Sequence, residues 1–84
     1  MYYVYVLRSL KDNKIYTGFT ADLKKRLEMH NKGQIPGTKY RLPLELIYYE
    51  ACVNKNDALR REKYLKTTYG GRYLKSRLKD HLKV

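Results

Sequence analysis

The sequence has one cysteine, no tryptophan and only two prolines among its 84 residues. The single cysteine, Cys52, excludes a disulfide within the chain, and with the two histidines it cannot make the usual structural zinc site. It suits a reducing, cytoplasmic setting and a buried or half-buried packing role. The first apolar run, Tyr2 to Leu7, is too short for a signal core or a membrane span. We therefore expect a cytoplasmic protein with one small domain over residues 1–84 and no membrane partner.

Acidic residues are scarce, because eight Asp and Glu stand against 19 Lys and Arg, for a formal net charge of +11. Residues 60–84 hold nine basic residues and two acids, and nine minus two is +7 of that charge. Such a basic segment favours a polyanionic partner, and no large aromatic-rich apolar face accompanies it to favour a membrane. The alternative is a solvated helix face that keeps the protein soluble. Charge alone leaves nucleic acid and this alternative about equally supported.

Composition, periodicity and turn residues predict three strands and three helices. The strands are predicted at Tyr2–Leu7, Lys14–Phe19 and Pro43–Glu50. The helices are predicted to run to about Asn31 from an N-cap at Thr20, from about Asp57 to Thr68 after a cap at Asn54 or Asn56, and from Tyr73 to about Leu82. Gly70-Gly71 is expected to end the second helix, and a basic loop occupies residues 34–42. In the third strand, alternation is expected to place Leu44, Leu46 and Tyr48 on one face.

Helical periodicity turns two polar side chains inward. At about 100° per residue, Glu62 falls inside the apolar arc of the second predicted helix. By the same rule His30 faces the core side of the first predicted helix, with Arg26 at the edge of that face. Burying a carboxylate is costly unless it is paired or binds a metal ion. The partner of Glu62 is therefore either Arg26, in a structural ion pair, or a cation.

These inward residues have the chemistry that phosphodiester hydrolysis needs. The reaction requires a base for the attacking water, positive charge for the developing phosphate charge, and help for the leaving oxygen. Arg26 can bind two phosphate oxygens, and Glu62 is a hard oxygen ligand for Mg²⁺. His30 can relay a proton or orient a tyrosine, and Gly18 leaves room for substrate or backbone to approach beside Tyr16.

Each of these residues also has a structural interpretation. Tyrosines in strands commonly pack in a core or at its rim, and an unperturbed tyrosine, with a pKa of about 10, is a poor base at neutral pH. An arginine can be an ordinary surface residue, and a histidine on an apolar face is often a hydrogen-bonded core residue. Taken singly, the structural interpretations are favoured; their combination favours a shared site. We therefore predict that one concave surface gathers Tyr5, Tyr16, Arg26, His30 and Glu62.

The arrangement resembles the GIY-YIG nuclease superfamily. The opening signature is carried by Tyr3-Val4-Tyr5, Tyr16-Thr17-Gly18 and the stretch from Asp22 to Asn31. The helix that carries the family glutamate is similar to residues Ala58 to Lys66, which read ALRREKYLK. The resemblance spans nearly the whole chain and is to small single-domain bacterial members, which are related to the nuclease module of the excision-repair subunit UvrC.

The resemblance implies an α/β (α+β) fold, with a small three-stranded antiparallel sheet flanked by about three helices, and a divalent-metal phosphodiesterase site. By matching position, Tyr5 and Tyr16 take the two tyrosine roles, and which of them activates water stays open. Arg26 takes the phosphate-stabilising role, and Glu62 the role of ligand to Mg²⁺ or Mn²⁺. His30 matches a position often occupied by a catalytic or supporting histidine. The chain departs from the pattern in its first triplet, which lacks the glycine, and in having no clear match for the polar residue that follows the glutamate in some members.

The expected function is that of a metal-dependent endonuclease that hydrolyses DNA phosphodiester bonds, in DNA repair or recombination. The alternative is a nucleic-acid-binding module with weak or lost catalysis. A third interpretation, a basic adaptor for a protein partner, leaves the inward Glu62 unexplained. Binding is expected to depend on basic residues that contact phosphate, so affinity should fall with salt. These residues are Lys39, Arg41, Arg72, Lys75 and Arg77.

Overall fold

The computed structural model describes residues 1–83, which form a three-stranded antiparallel sheet and three helices. The strands are β1 (Tyr2–Ser9), β2 (Ile15–Thr20) and β3 (Leu44–Cys52). The helices are α1 (Leu23–Asn31), α2 (Lys55–Leu65) and α3 (Thr68–Arg77). The spatial order is β2-β1-β3, so β1 is central and the other two are edge strands. The predicted α+β fold is confirmed, and no helix within residues 1–83 is long and apolar enough to cross a membrane.

The central strand separates two small cores. On one face of β1, Val4 and Val6 pack against α2 and α3, through Ala58, Leu65 and Leu74. On the other face, Tyr5 and Leu7 pack with Leu44 and with apolar residues of α1. Both faces are covered, which explains why the middle of β1 is almost entirely apolar rather than alternating. Its side chains still alternate between the two faces, with Val4 and Val6 on one and Tyr5 and Leu7 on the other.

A β-bulge in β3 changes which of its side chains face α2 and α3. Val6 pairs with Tyr48 while Leu7 pairs with Leu46, so Ile47 is an extra residue on β3. An extra residue moves every later side chain to the opposite face. The prediction that Leu44, Leu46 and Tyr48 share one face is therefore wrong for Tyr48, which packs against the Val4 and Val6 core instead.

The bulge also creates a polar attachment between β3 and α2. Arg61 binds Glu50 through two nitrogens, each 2.9 Å from a carboxylate oxygen. Tyr48 donates to Glu50 over 2.7 Å, and its hydroxyl lies 3.0 Å from that of Tyr73 on α3. The Arg61 hydrogen bonds hold the pKa of Glu50 below its ordinary value, while burial raises the pKa of Tyr48. Glu50, expected from the sequence to be without a special role, thus joins three elements.

The first two helices begin at different residues from those predicted. Asp22, not Thr20, is the N-cap of α1, and its carboxylate accepts from the backbone N–H of Lys25. Thr20 lies two residues earlier, where its hydroxyl accepts from the backbone N–H of Asp22 over 3.1 Å. Asn54 caps α2, as one of the two predicted alternatives, so the helix begins at Lys55. Both caps satisfy backbone N–H groups that have no partner inside the helix.

The glycine pair does not end α2 but lies inside α3. Helix α2 ends at Leu65, and Thr67 caps α3 by accepting from the backbone N–H of Gly70 over 3.2 Å. A Cβ at Gly70 would collide with the carbonyl oxygen of Tyr64 and the Cα of Leu65. Glycine is therefore present because α3 crosses closely over the end of α2. The predicted end of the second helix at Thr68 and the predicted start of the third at Tyr73 are therefore both wrong.

Candidate active site

The hairpin of β1 and β2 places two tyrosines side by side on the face covered by α1. Tyr5 pairs with Gly18 and Leu7 pairs with Tyr16, so the two tyrosine rings are diagonal neighbours with centroids 6.4 Å apart. A Cβ at Gly18 would collide with the Tyr5 hydroxyl. Gly18 was expected to leave room for substrate or backbone beside Tyr16. The ring of Tyr5 occupies that room instead.

Helix α1 brings His30 onto the Tyr5 hydroxyl. The two atoms Tyr5 Oη and His30 Nε2 are 2.8 Å apart, and both residues are 0% exposed. On the other side of the imidazole, His30 Nδ1 lies 2.7 Å from the hydroxyl of Thr38, which is also 0% exposed. Three buried polar side chains therefore satisfy one another, as burial requires.

Arg26, one turn before His30 on α1, completes this polar chain. Its Nε donates to the Tyr5 hydroxyl over a long 3.5 Å. Within residues 1–83, the Arg26 guanidinium makes no ion pair with a carboxylate. The residue is half-buried, and its Nε is the atom that Tyr5 engages.

Burial and the positive charge of Arg26 set the protonation states of Tyr5 and His30. Burial raises the pKa of Tyr5, against the opposing hydrogen bond from Arg26. Burial lowers the pKa of His30, and the positive charge of Arg26 lowers it further. At neutral pH the pair is therefore a phenol and an uncharged imidazole. We assign the phenol as the donor to Nε2, because its oxygen already accepts from Arg26, and this assignment places the N–H on Nδ1, where it donates to Thr38.

Tyr16 differs from Tyr5 in its access to solvent. It is half-buried, whereas Tyr5 is fully enclosed. Its ring meets the edge of the His30 ring with centroids 5.3 Å apart, and Gly37 lies against its far side. Of the two tyrosines, Tyr16 is the one that an external phosphate or water can reach.

Among residues 1–83, Glu62 makes no ion pair with any of these four residues. Its carboxylate is 3.2 Å from Nζ of Lys66, one turn further along α2, so the ion pair with Arg26 considered from the sequence is wrong. The side chain is 18% exposed, in keeping with its position in the apolar stripe of the helix. Helix α2 covers the opposite face of the sheet but also contacts the edge strand β2. Burial is the main cause of the raised pKa of Tyr5, and the negative charge of Glu62 is the smallest of the causes that raise it.

The donor set limits what metal the site could hold. Among residues 1–83 there is no cluster of three or more His, Cys, Asp or Glu placed to bind a metal ion. Mg²⁺ commonly uses one or two carboxylates and completes its shell with waters and substrate phosphates. A single half-buried carboxylate with a partly exposed lysine as partner, Glu62 with Lys66, fits that requirement once phosphate is present.

The five basic residues expected to bind nucleic acid have unequal freedom. Arg41 is half-buried, and its Nε lies 3.4 Å from a carboxylate oxygen of Asp12. Lys39 is exposed, and its ammonium lies 4.9 Å from the ring centre of Tyr40. The three residues of α3 are all exposed: Arg72, Lys75 and Arg77. Four of the five therefore remain accessible to phosphate.

Sequence reasoning missed two residues of this region. Thr38 was included in a basic loop, since a buried threonine in a loop has no periodicity that reveals it. Its place is set by a turn in which its backbone N–H binds the carbonyl of Ile35 over 3.0 Å. Lys66 was not considered as a partner for Glu62, although the spacing of four residues on a helix is a signal for such a pair.

Comparison with known proteins identifies the family of this chain. Residues 1–75 match the family model of the GIY-YIG catalytic domain. The chain is 48% identical over 65 residues to a UPF0213 protein of Streptococcus pyogenes serotype M3, covering 76% of this chain and 70% of the relative. It is 42% identical over 67 residues to a UPF0213 protein of Staphylococcus saprophyticus, covering 79% and 80% respectively. A solution NMR structure of a UPF0213 protein from Bacillus halodurans matches with a TM-score of 0.56 and 35% identity, over 90% of this chain and 84% of that one. The two relatives and the solved structure are all UPF0213 proteins. The chain belongs to the GIY-YIG catalytic domain family.

Proposed function

We propose that this protein is a metal-dependent endonuclease that hydrolyses phosphodiester bonds in DNA. Membership of a nuclease domain family supports phosphodiester chemistry in general, while the name UPF0213 denotes no reaction. The observation that carries the proposal is the hydrogen-bonded chain from Arg26 through Tyr5 to His30, beside the solvent-accessible Tyr16. The role in DNA repair or recombination rests on the resemblance alone and stays a prediction.

Arg26 is proposed to bind the scissile phosphate. Only its Nε is engaged by Tyr5, and the side chain has no carboxylate partner within residues 1–83. A guanidinium can donate to two phosphate oxygens and stabilise the charge that develops on them. The Tyr5 hydroxyl, itself fixed by His30, holds this guanidinium in place. Tyr5 and His30 are thus positioning residues, since both are enclosed and His30 has both nitrogens occupied.

Tyr16 is proposed to contact the attacking water. It is the accessible member of the tyrosine pair, and its ring is held by His30 and Tyr5 on one side. Tyr5 is unsuited to that role because burial raises its pKa and closes it to water. Greater exposure, rather than position in a motif, supports this role for Tyr16 over Tyr5.

Glu62 is proposed to hold Mg²⁺ or Mn²⁺ when substrate is bound. When present, the ion supplies positive charge to the phosphate oxygens and the leaving oxygen. The Glu62 carboxylate can exchange its ion pair for a bound metal cation. Its present partner, the Lys66 ammonium, is 54% exposed, and ion pairs with such exposed groups are weak. Without Lys66 and without a metal ion, the largely buried Glu62 carboxylate would carry an uncompensated charge.

A test of the proposal compares Glu62→Gln with Glu45→Gln, since Glu45 is a carboxylate of β3 that pairs with His81 outside the site. Purified proteins are assayed on branched, nicked, single-stranded and duplex DNA and on RNA, with Mg²⁺ or Mn²⁺ and with chelator. We expect Glu62→Gln to lose cleavage while it still binds DNA, and Glu45→Gln to cleave like the parent. Arg26→Ala should lose about 10²–10³-fold in rate.

The outcomes separate the two functions considered. Cleavage that persists in Glu62→Gln and Arg26→Ala under saturating metal would reject this site as its origin. If the parent binds DNA but cleaves nothing in any of these conditions, the protein is a nucleic-acid-binding module. That alternative has its own support in the exposed basic side chains of α3, which require no catalysis.

A further inference from the structure

One cation is already paired with the proposed metal ligand. Nζ of Lys66 lies 3.2 Å from a carboxylate oxygen of Glu62, four residues earlier in the chain. Within residues 1–83, no other Lys, Arg or His side chain lies within ion-pair distance of Glu62. The proposed reaction assigns the phosphate to Arg26 and the metal ion to Glu62, and it leaves Lys66 without a function of its own.

The backbone of Lys66 is held in place, whereas its ammonium is free to move. Lys66 is the C-cap of α2, where its backbone N–H binds the carbonyl oxygen of Lys63 over 3.2 Å. The next residue, Thr67, is already the N-cap of α3. The side chain of Lys66 is 54% exposed, against 18% for Glu62. Because lysine has a flexible four-carbon stem, the ammonium can leave the carboxylate for another anion while the helix junction stays in place.

The ammonium and a metal ion compete for the same carboxylate. Mg²⁺ usually binds through one or two carboxylates together with substrate phosphates. Among residues 1–83 no three His, Cys, Asp or Glu are clustered for a metal ion, so an ion that bound Glu62 without substrate would have to displace Lys66. The displaced ammonium would then lie close to a divalent cation, and the two positive charges repel each other. Lys66 therefore opposes metal binding in the protein alone.

A bound phosphate removes this conflict. It is a ligand for the metal ion and also an anion that the displaced ammonium can bind. Since Lys66 Nζ is already 3.2 Å from the Glu62 carboxylate, a phosphate that shares a metal ion with Glu62 is within reach of the lysine. Lys66 and Thr17 line one cavity, so Lys66 lies beside β2, the strand that also carries Tyr16.

We propose that Lys66 is a phosphate-binding residue that occupies the Glu62 carboxylate until DNA binds. In the protein alone, Lys66 neutralises this carboxylate and excludes the metal ion. When DNA binds, Lys66 moves to a phosphate and the metal ion takes its place at Glu62. DNA and the metal ion therefore bind cooperatively, and each raises the affinity for the other. The proposal rests on the nuclease function proposed above and names how metal binding at that site is regulated.

Two lysines at the end of α2 provide a matched pair of variants. Lys66→Met keeps the length of the side chain and removes its charge. Lys63→Met removes the same charge from an exposed lysine that forms no ion pair within residues 1–83. Both variants lower the formal net charge of +11 by one unit, so a difference between them cannot come from the charge of the whole chain.

The first measurement is Mn²⁺ binding to the protein without DNA, followed by the electron paramagnetic resonance signal of free Mn²⁺. We expect Lys66→Met to bind Mn²⁺ about fivefold more tightly than the parent, because no ammonium competes for the carboxylate. Lys63→Met should bind Mn²⁺ as the parent does. A double variant with Glu62→Gln and Lys66→Met should lose the gained binding, because the metal ligand itself has been removed.

The second measurement is DNA binding at saturating Ca²⁺, a hard cation that also takes oxygen ligands. Fluorescence anisotropy measures the affinity, and a gel verifies that the DNA is intact. We expect Lys66→Met to bind DNA about tenfold more weakly than Lys63→Met, because it lacks the charge-assisted contact with the metal-bound phosphate. Lys66→Arg, which keeps the positive charge, guards against a folding defect. It should bind Mn²⁺ no more tightly than the parent and should retain DNA binding.

Three results would overturn the proposal. They are an unchanged Mn²⁺ affinity in Lys66→Met, a gained Mn²⁺ affinity that survives Glu62→Gln, and equal DNA affinities of Lys66→Met and Lys63→Met at saturating Ca²⁺. Mg²⁺-dependent cleavage by the parent tests the nuclease function separately. Cleavage together with an unchanged Mn²⁺ affinity in Lys66→Met would reject the role of Lys66 alone. The expected binding changes without any cleavage would reject the nuclease function alone.

Discussion

At the scale of single residues, the site depends on a polar chain that has no access to water. Tyr5, His30 and Thr38 are each fully buried, and each satisfies the next. An unpaired polar group in such a place costs stability, whereas a satisfied chain gives a fixed geometry. Stability and the orientation of Arg26 are therefore linked through the same hydrogen bonds.

Replacing Thr38 tests that link. Thr38→Val keeps the shape of the side chain but leaves the N–H on His30 Nδ1 without an acceptor. We expect a loss of about 1–3 kcal/mol in the free energy of unfolding, measured by denaturant titration. Thr38→Ser keeps the hydroxyl and serves as the control, with a smaller loss. Equal losses in the two variants would mean that the methyl group, and not the hydrogen bond, stabilises this position.

The lowered pKa of His30 predicts how stability depends on pH. Because the folded-state pKa lies below the unfolded value of about 6.5, the unfolded chain binds the proton more readily. The contribution is fully present above pH 6.5 and is lost as pH falls toward the folded-state pKa, with a slope of at most about 1.4 kcal/mol per pH unit. NMR titration of the imidazole signals should place the His30 midpoint below 6.5. A His81→Gln variant should keep this pH dependence, and a His30 midpoint above 6.5 would contradict the account.

The sequence indicated which residues belong to the site better than it indicated which residues they contact. Helical periodicity placed His30 inward and Arg26 at the edge, and the structure joins both to Tyr5. The same periodicity placed Glu62 inward but could not reveal its partner, because Arg26 and Lys66 are both compatible with an inward carboxylate. Thr38 could not be found at all, since its burial depends on how a loop folds over α1.

At the scale of elements, predictions held where local composition decides the structure and failed where packing between elements does. The hairpin and α1 were predicted to within a few residues, and the cap at Asn54 was among the predicted alternatives. The bulge at Ile47 is a property of the pairing between β1 and β3, and nothing in the composition of β3 indicates it. Gly70 was interpreted as a helix terminator, the commonest role of such a glycine, but it is required by the close crossing of α3 over α2.

The two adjacent glycines of α3 provide a matched test of this crossing. Gly70→Ala forces a methyl group into the backbone at the end of α2, so we expect a loss of about 1–3 kcal/mol in unfolding free energy. Gly71→Ala meets no atom and should stabilise the helix by about 0.8–1 kcal/mol. Thermal and denaturant unfolding of both variants would measure the difference. If both substitutions changed the free energy of unfolding in the same direction, helix propensity alone would determine their effects, and not the contact between α2 and α3.

At the scale of the whole molecule, a net charge of +11 dominates the expected interaction with nucleic acid. The acidic residues are largely engaged, with Glu50 bound to Arg61, Asp12 near Arg41 and Glu62 near Lys66. Most positive charge therefore remains uncompensated. Such a surface binds phosphate through release of counterions.

Salt dependence should distinguish free from engaged basic residues. The logarithm of DNA affinity should fall linearly with the logarithm of salt concentration. Arg72→Gln on α3 should reduce the steepness by about one unit if its side chain contacts a phosphate. Arg41→Gln should change it less, because Asp12 already lies 3.4 Å from the Arg41 Nε. Fluorescence anisotropy between about 50 and 200 mM salt measures both slopes. A larger effect at Arg41 than at Arg72 would contradict this ranking.

The central claim, that this fold carries a phosphodiesterase site around Tyr16, is tested most directly by metal-dependent DNA cleavage in Tyr16→Phe beside Tyr64→Phe. Tyr64 is another tyrosine of the chain, 41% exposed on α2 and without a role in the site. The account predicts that the parent and Tyr64→Phe cleave DNA, that chelator stops both, and that Tyr16→Phe is slower by about 10²–10⁴-fold with unchanged stability and DNA binding. Cleavage by Tyr16→Phe at the parental rate, or no cleavage by the parent with either metal, would contradict it.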